Sequence, residues 1–391
     1  MLTHFIRRAA GDSVLARVVA ADRHPPRLVS DEHLDAAVGW LLRSIEACGG
    51  QASSKGYRFL KGWMPPYPET TGYIIPTVLA LARDRNRPEL ESTARRMGAW
   101  LASIQLSGGG YSGREVGVQS EPDVFDTGMI LLGFNALIHH GARDAFQSPA
   151  HKAAEFLVAS MDESGCFVRN MSHDIVHAYN VRSAWALMAF GKLAGEQAFI
   201  DRAADCARWT VAQQNANGFY LQNNFKPGGN ANTHGTAYVM RGLLQLHYLS
   251  GDDAILASVS RAADQVCRIY DEKSWIAAEL GPDWQYLSSH ICLTGYAQLS
   301  IVLNRLYVIN GNERYRRTAD RLLADVARHQ AMDAAGTPWH GGIAGSFPIW
   351  GRYAPLQYPN WATKFFIDGI RAQRFVAAGG TAWPEADLYA G

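Results

Sequence analysis

Six times along this chain a helix-like run opens just after a cluster of polar, aromatic and glycine residues. The openings read PETTGY around Glu69, DVFDTG from Asp123, HAYNVRSAW from His177, NTHGTAY from Asn232, SSHICLTGY from Ser288 and QYPNWATKF from Gln357. The helix starts near Thr70, Thr127, Val181, Gly235, Leu293 and Trp361 lie 57, 54, 54, 58 and 68 residues apart. Such regular spacing marks one supersecondary unit repeated around something closed or stacked.

A second set of segments lies between those runs, over Leu34 to Cys48, Leu90 to Gln105, Pro149 to Met161, Gln197 to Gln214, Ala254 to Tyr270 and Glu313 to His329. Charged residues interrupt their apolar positions every three or four residues, as in RRMGAWLASIQ and DRAADCARWTVAQQ, which gives one wet and one packed face. The first set differs: TGMILLGFNALI, RSAWALMAFGKL and TAYVMRGLLQLHYL are apolar almost all round, as expected of helices buried between neighbours. Six outer and six inner helices predict an all-α fold, an (α/α)6 toroid over residues 31–391, preceded by an N-terminal extension at 1–30. An open solenoid is the structural alternative, but solenoids carry atypical polar caps, and neither the first nor the last unit reads as one.

The segments after the outer helices recur as well: IQLSGGGYSG, MDESGCFVRN, QQNANGFYLQN, YDEKSWIAAE and MDAAGTPWHGG. Each has a turn of Gly, Asn, Asp or Ser and then an aromatic or short apolar run. That pattern, after a helix ending in Gln, resembles the repeats of the squalene-cyclase and prenyltransferase superfamily, with Tyr111 and Phe219 where that repeat usually has Trp. The resemblance implies the toroid. It does not imply the reaction, because DVFD at Asp123 to Asp126 is not the DxDD proton donor of class II cyclases, and no Asp, Cys and His stand as in the prenyltransferase zinc site.

The net charge is +1 and no basic cluster interleaves with aromatics, which argues against nucleic acid as a partner. The opening MLTHFIRRAAGDSVLARVV lacks the continuous apolar stretch and cleavage site of a signal peptide, and no apolar run approaches the roughly 18 residues of a membrane span. A cytoplasmic protein is therefore expected. Cys48, Cys166, Cys206, Cys267 and Cys292 are odd in number and lack CxxC spacing, so they read as reduced packing residues. Cys292, two residues from His290, leaves a thiol nucleophile as the sharper alternative. No HxH or HExxH spacing occurs, and neither a metal nor another cofactor is expected.

A toroid gathers the N-termini of its inner helices at one end of a central cavity. The residues expected there are Trp63, Tyr67, Glu69, Tyr73, Asp123, Asp126, His177, Tyr179, Asn180, Arg182, Asn223, Thr233, His234, Trp284, His290, Trp350, Tyr353, Tyr358, Asn360, Trp361 and Lys364. Aromatic platforms with amides, hydroxyls, imidazoles and a few carboxylates suit an oligosaccharide or polysaccharide, whose rings stack and whose hydroxyls pair. Plainer roles stand beside these: Thr70, Asp126 and Asn180 fall where helix N-caps belong, and Trp63 and Tyr67 sit in a Pro-rich loop where rings pack on prolines.

The sharpest catalytic pair is Glu69 with Asp126, at the mouths of consecutive inner helices whose axes should lie about 8–10 Å apart. Carboxyls there could flank one bond at the roughly 6.5–9.5 Å typical of inverting glycosidases, with Asp126 written as base and Glu69 as acid. ETTGY and DTGMIL also resemble the two acidic helix mouths of the unsaturated glucuronyl hydrolases, α/α toroids with an Asp at each; here Glu stands at the first. A second reading is a lyase or uronate C5-epimerase, with His177, Tyr179 or His234 moving the proton and Asn180, Arg182 or Lys364 neutralising the carboxylate. A third is a non-catalytic glycan-binding or assembly protein in which the carboxylates are caps; terpenoid cyclisation is a distant fourth.

HAYNVRSAWAL, NNFKPGGNANTHGTAYVMRGLLQ and YPETTGYIIPTVLALA resemble proteins encoded in bacterial exopolysaccharide and O-antigen clusters, of the Vps polysaccharide-biosynthesis type. That resemblance implies a role in making, trimming or modifying a surface polysaccharide.

Overall fold

Twelve long helices alternate along the chain in the computed structural model, which describes residues 29–332 and 335–389. Most of the expected N-terminal extension lies outside the described residues. The outer helices are α1 (Asp31–Glu46), α3 (Glu89–Ser103), α5 (Arg143–Ala159), α7 (Gln197–Ala212), α9 (Asp253–Lys273) and α11 (Glu313–Arg328). The inner ones are α2 (Pro68–Asp84), α4 (Val124–Leu137), α6 (Val181–Ala194), α8 (Thr233–Ser250), α10 (Leu293–Asn310) and α12 (Asn360–Ala377). A short α13 (Glu385–Tyr389) follows. The fold is the expected (α/α)6 toroid.

Burial separates the two sets as their sequences require. In α4 every residue but Phe125 is buried, whereas α11 buries Tyr315, Thr318, Ala319, Leu322, Leu323, Val326 and Ala327, the three-and-four spacing of a single face. Each inner helix packs on the next, and the ring closes where α12 packs on both α1 and α2. Strand β1 (Gly56–Arg58), which also pairs with β2 (Gly62–Trp63), pairs antiparallel with a later strand, Gln357–Pro359, just before α12. Asn360 Nδ2 donates to Ser54 O at 2.7 Å and lies 2.8 Å from Thr70 Oγ1 and 2.9 Å from Ser53 Oγ, so the sixth unit is pinned to the first.

The glutamines that end outer helices tie neighbouring units together. Gln105 Nε2 donates to Gly109 O and to Pro149 O on the next outer helix, at 2.9 and 2.8 Å. Gln214 does the same to Gly218 O and Ser258 O, at 3.0 and 2.9 Å. Gln330 donates to Gly341 O and to His33 O of α1, both at 2.9 Å, and so joins the last outer helix to the first. Gln330→Ala leaves the buried Gly341 carbonyl without its donor and cuts the link to His33 O of α1, and is expected to cost about 1–3 kcal/mol. Urea unfolding of the variant against wild type reads this as a lower midpoint at unchanged slope.

Some boundaries differ from the sequence reading. Pro149 was expected to open an outer helix, but α5 begins at Arg143 and carries Pro149 inside it. The link from α4 into α5 is a wide turn over Ile138–Ala142 that places Gly141 at φ 83°, a conformation glycine adopts without strain. Thr70, expected as a cap, lies inside α2, whose N-cap is Tyr67. The threonines of the repeat clamp the loop instead: Thr71, Thr127 and Thr363 each accept the backbone N–H of a loop residue, Ser53, Tyr111 and Ile343, at 3.0 Å. Among the described residues no helix is long and apolar enough to cross a membrane.

Candidate active site

Close approach of α2 and α4 sets the site. A Cβ on Gly72 would stand 2.5 Å from Ile130 Cα, and one on Gly133 2.5 Å from Gly72 O, so only glycine permits this crossing. Glu69 lies one turn above Gly72, and Asp126 lies in the first turn of α4. The two carboxylates therefore open onto one cavity of about 260 Å³, lined by Lys55, Tyr67, Glu69, Tyr73, Asp123, Phe125, Asp126, Ser172, Tyr179, Phe225, His234, Tyr238, Tyr353 and Trp361.

Asp123, not Asp126, caps α4: its Oδ1 accepts Phe125 N–H at 2.7 Å and Asp126 N–H at 3.1 Å. Asp126 is released from that duty, and its buried Oδ1 has no hydrogen-bond partner. Glu69, Asp123 and Asp126 are only 7, 6 and 5% exposed. Burial, then the charges of Asp123 and Glu69, push the Asp126 carboxyl well above the usual carboxylate range. Burial raises Asp123 too, against the two amide bonds that favour its anion. Of this pair, Asp126 holds the proton and shares it with Asp123. Glu69 is raised to about 7, chiefly by burial, while a hydrogen bond from Tyr67 and the charges of Lys55 and Arg182 hold it down.

His234 is fixed by a relay. Arg182 Nη1 donates to Gln298 Oε1 at 3.3 Å, so the amide nitrogen of Gln298 faces His234 Nδ1 at 2.6 Å and must donate to it. The neutral ring then carries its proton on Nε2. Burial, helped by Arg182, lowers the His234 pKa well below that of free histidine. His177 lies between two backbone carbonyls, Asn224 O and Ser172 O, each 2.9 Å from a ring nitrogen, so the neutral ring donates to one of them, and it stacks on Tyr179 at 4.5 Å. Neither nitrogen is open to a substrate.

Rings form the rest of the cup. Phe125 packs against Tyr179 and Tyr238 at 5.2 and 5.0 Å, Phe225 against Tyr179 at 5.3 Å, and Trp361 Nε1 donates to Tyr353 Oη at 2.9 Å. Of the residues expected at the mouth, Tyr67, Glu69, Tyr73, Asp123, Asp126, Tyr179, His234, Tyr353 and Trp361 line the cavity.

The others stand elsewhere. Trp63 packs on Trp40 and Tyr57, and Tyr358 on Phe59, in the wall. Trp284 packs on Phe219 and donates Nε1 to Asn217 O at 3.1 Å. Asn223 is held against Gly235 and Thr236, Thr233 donates to Ala277 O at 2.6 Å, and Asn360 belongs to the ring closure. His290 lies against Gly351, and Trp350 is exposed. Asn180 heads α6 with no side-chain capping bond. Arg182 sits behind the cavity, 4.5 Å over the Tyr238 ring, and Lys364 pairs with Asp368 at 2.6 Å. Cys292 is fully buried and its thiol is pushed up to about 12, which removes the thiolate a nucleophile needs.

Lys55, Phe125, Ser172, Phe225 and Tyr238 were not anticipated. Tyr238 carried a signal, since it follows His234 by four residues and shares its helix face; Lys55 and Ser172 come from loops without one.

No family model matches the chain, and no curated protein does; the resemblance to surface-polysaccharide biosynthesis proteins finds no support there. Solved structures do match. An unsaturated glucuronyl hydrolase specific for heparin is 15% identical, over 90% of this chain and 98% of that chain, with a TM-score of 0.70. The unsaturated glucuronyl hydrolase of Bacillus sp. GL1, described as responsible for glycosaminoglycan degradation, is 13% identical over 90% and 97%, at 0.67. A D-mannose isomerase is 12% identical over 88% and 96%, at 0.69. At these identities the likeness establishes the shared α/α-toroid fold.

Proposed function

We propose that this protein is a carbohydrate-active enzyme that cleaves a glycosidic bond with Asp126 and Glu69. The observation that carries the reading is the pair of buried carboxyls on adjacent inner helices that line one ring-walled cavity, one of them with an unpartnered oxygen. A protein that only bound glycans would need neither the desolvation cost of three clustered carboxyls nor an idle Asp126 once Asp123 supplies the cap.

Asp126, whose burial and neighbouring carboxylates favour its protonated form, donates that proton to the departing glycosidic oxygen. Glu69, raised to about 7 and so partly ionised there, takes a proton from the water that attacks the anomeric carbon. This division reverses the one written from sequence, and the electrostatics favour it. The His234 Nε2–H serves as a donor to a sugar hydroxyl. At about 260 Å³ the cavity is smaller than the roughly 300–1,000 Å³ of many small-molecule sites, which suits the end of a chain better than its middle. The names of the glucuronyl hydrolases that share the fold support a uronate-bearing oligosaccharide; Lys55, paired with Glu115 at 2.7 Å, is the cation at the cavity edge that its carboxylate would have to share. Proton abstraction by histidine is disfavoured, because both nitrogens of His177 face backbone carbonyls and His234 accepts from Gln298. Tyr179 is a poor base, its hydroxyl pushed well above the usual phenol by burial.

Incubation with uronate-containing oligosaccharides and bacterial surface polysaccharides in heavy water, read by mass spectrometry and NMR, tests the proposal. New sugar ends with no deuterium at C5 are expected. An unchanged saccharide backbone carrying C5 deuterium would overturn hydrolysis in favour of epimerisation.

A further inference from the structure

Between α3 and α4 the chain makes an excursion pinched at its base, where Ser112 pairs with Pro122 and Gly113 N donates to Glu121 O at 3.2 Å. A Cβ on Gly113 would stand 2.8 Å from Asp123 Cβ, so this base rests directly on the capping residue of α4. The tip is tied to the Pro-rich loop before α2. Val116 N donates to Pro66 O at 3.0 Å, and Glu115 Oε2 accepts from Lys55 Nζ at 2.7 Å. Apolar burial adds little, since Val116 and Val118 are 46 and 44% exposed. Such a tip opens at low free-energy cost.

Lys55 is held more firmly. Its N–H donates to Pro65 O at 3.0 Å, its carbonyl accepts Asn360 N–H at 3.1 Å where the ring closes, and its ammonium lies 4.9 Å over the Tyr67 ring. Among the described residues lining the carboxylate cavity it is the one ammonium or guanidinium, and Glu115 is not among them. The two side chains are 23 and 21% exposed, so water reaches the pair and its attraction is modest. Partial burial opposes the Glu115 charge, but the bonds from Lys55 and from a backbone N–H outweigh it and hold the carboxyl below its usual range. Glu115 is therefore an anion across the neutral range. The chain thus places a carboxylate of its own, on a movable tip, against a fixed cation at the cavity edge.

We infer that Glu115 is a specificity-determining residue: it occupies Lys55 until the carboxylate of an acidic saccharide displaces it, and the tip at 114–119 then loses that tie. A neutral sugar has no group with which to make the exchange and meets the pair closed. Because Glu115 is tethered beside Lys55, it competes at a high effective concentration, and the affinity for an anionic sugar is measured against it. The inference rests on the cavity being the saccharide site proposed above, and not on the cleavage assigned to it.

Saturation-transfer NMR titrations of the full chain with sodium D-glucuronate, and in parallel with D-glucose, test the inference at pH 6 with ionic strength held by sodium chloride. At that pH Glu69, raised to about 7, is mostly protonated and repels the acid least. Wild type is expected to bind glucuronate more tightly than glucose. Glu115→Gln keeps the size of the side chain and removes the competing charge, so glucuronate should bind about two- to fivefold more tightly while glucose is unmoved. Lys55→Met should bring glucuronate down to the affinity of glucose. A glucuronate affinity unchanged by Glu115→Gln, an equal change for both sugars, or no saturable glucuronate binding overturns the inference; this variant decides the matter should Lys55→Met fail to fold. Binding is read without turnover, so a protein that shows the shift but cleaves nothing refutes the reaction and leaves the role of Glu115 standing.

Discussion

Asp126→Asn is expected to lower kcat by about 10²–10⁴-fold while leaving the fold and saccharide binding intact, because it removes the acidic proton while the amide can still donate a hydrogen bond to Asp123. The side chain makes no capping contact, since Asp123 accepts both first-turn amides. Asp123→Asn supplies the contrast. It weakens the charge on the N-cap of α4 and removes the anion that shares Asp126's proton, so it should lose stability as well as activity. Glu69→Gln should likewise abolish turnover, with a different pH signature. In wild type the acidic limb of the rate profile is expected near pH 7, where Glu69 ionises, and deprotonation of Asp126, whose burial and carboxylate neighbours raise it, is expected to set the alkaline limb. These apparent values belong to the coupled carboxyls together. Kinetics on each variant with circular dichroism as a folding control decide the case: retained turnover in Asp126→Asn removes it from the reaction, and joint loss of fold and rate restores the capping role.

The ring itself was legible because inner and outer helices differ in kind of periodicity, and a sixfold recurrence averages out local errors. Inner helices begin at Pro68, Val124, Val181, Thr233, Leu293 and Asn360, within three residues of the expected positions. The site was legible only in part, because a helix mouth is a circle of directions. Asn360 and Glu69 both stand in first turns, but Asn360 points back at Ser53 and Thr70 to close the ring, while Glu69 points into the cavity. Lys364, one turn below Asn360, faces Asp368. Sequence alone also hid the identity of the cap. Asp123 and Asp126 are equally plausible N-caps until the backbone shows where α4 begins, and that single fact frees one carboxylate for chemistry.

The same electrostatics carry a stability signature that needs no substrate. Glu69 has an ordinary pKa of 4.5 raised to about 7 in the folded chain, so the fold favours its protonated form. Its contribution is fully present below about pH 4.5 and is lost as the pH rises through 7, a swing of about 3 kcal/mol at 1.36 kcal/mol per unit. Glu69→Gln keeps an acceptor for the Tyr67 hydroxyl and removes the charge. It should therefore match wild type near pH 4 and exceed it by about 3 kcal/mol at pH 8. Urea midpoints measured at both pH values give the test, and the slope against pH matters more than either level. Parallel curves for the two proteins would mean that Glu69 ionises normally and is solvated, and the acid–base division between Glu69 and Asp126 would fall with it. A flatter curve for Glu69→Gln, together with lost turnover, would mean that the buried carboxylate is kept at a cost in stability because the reaction requires it.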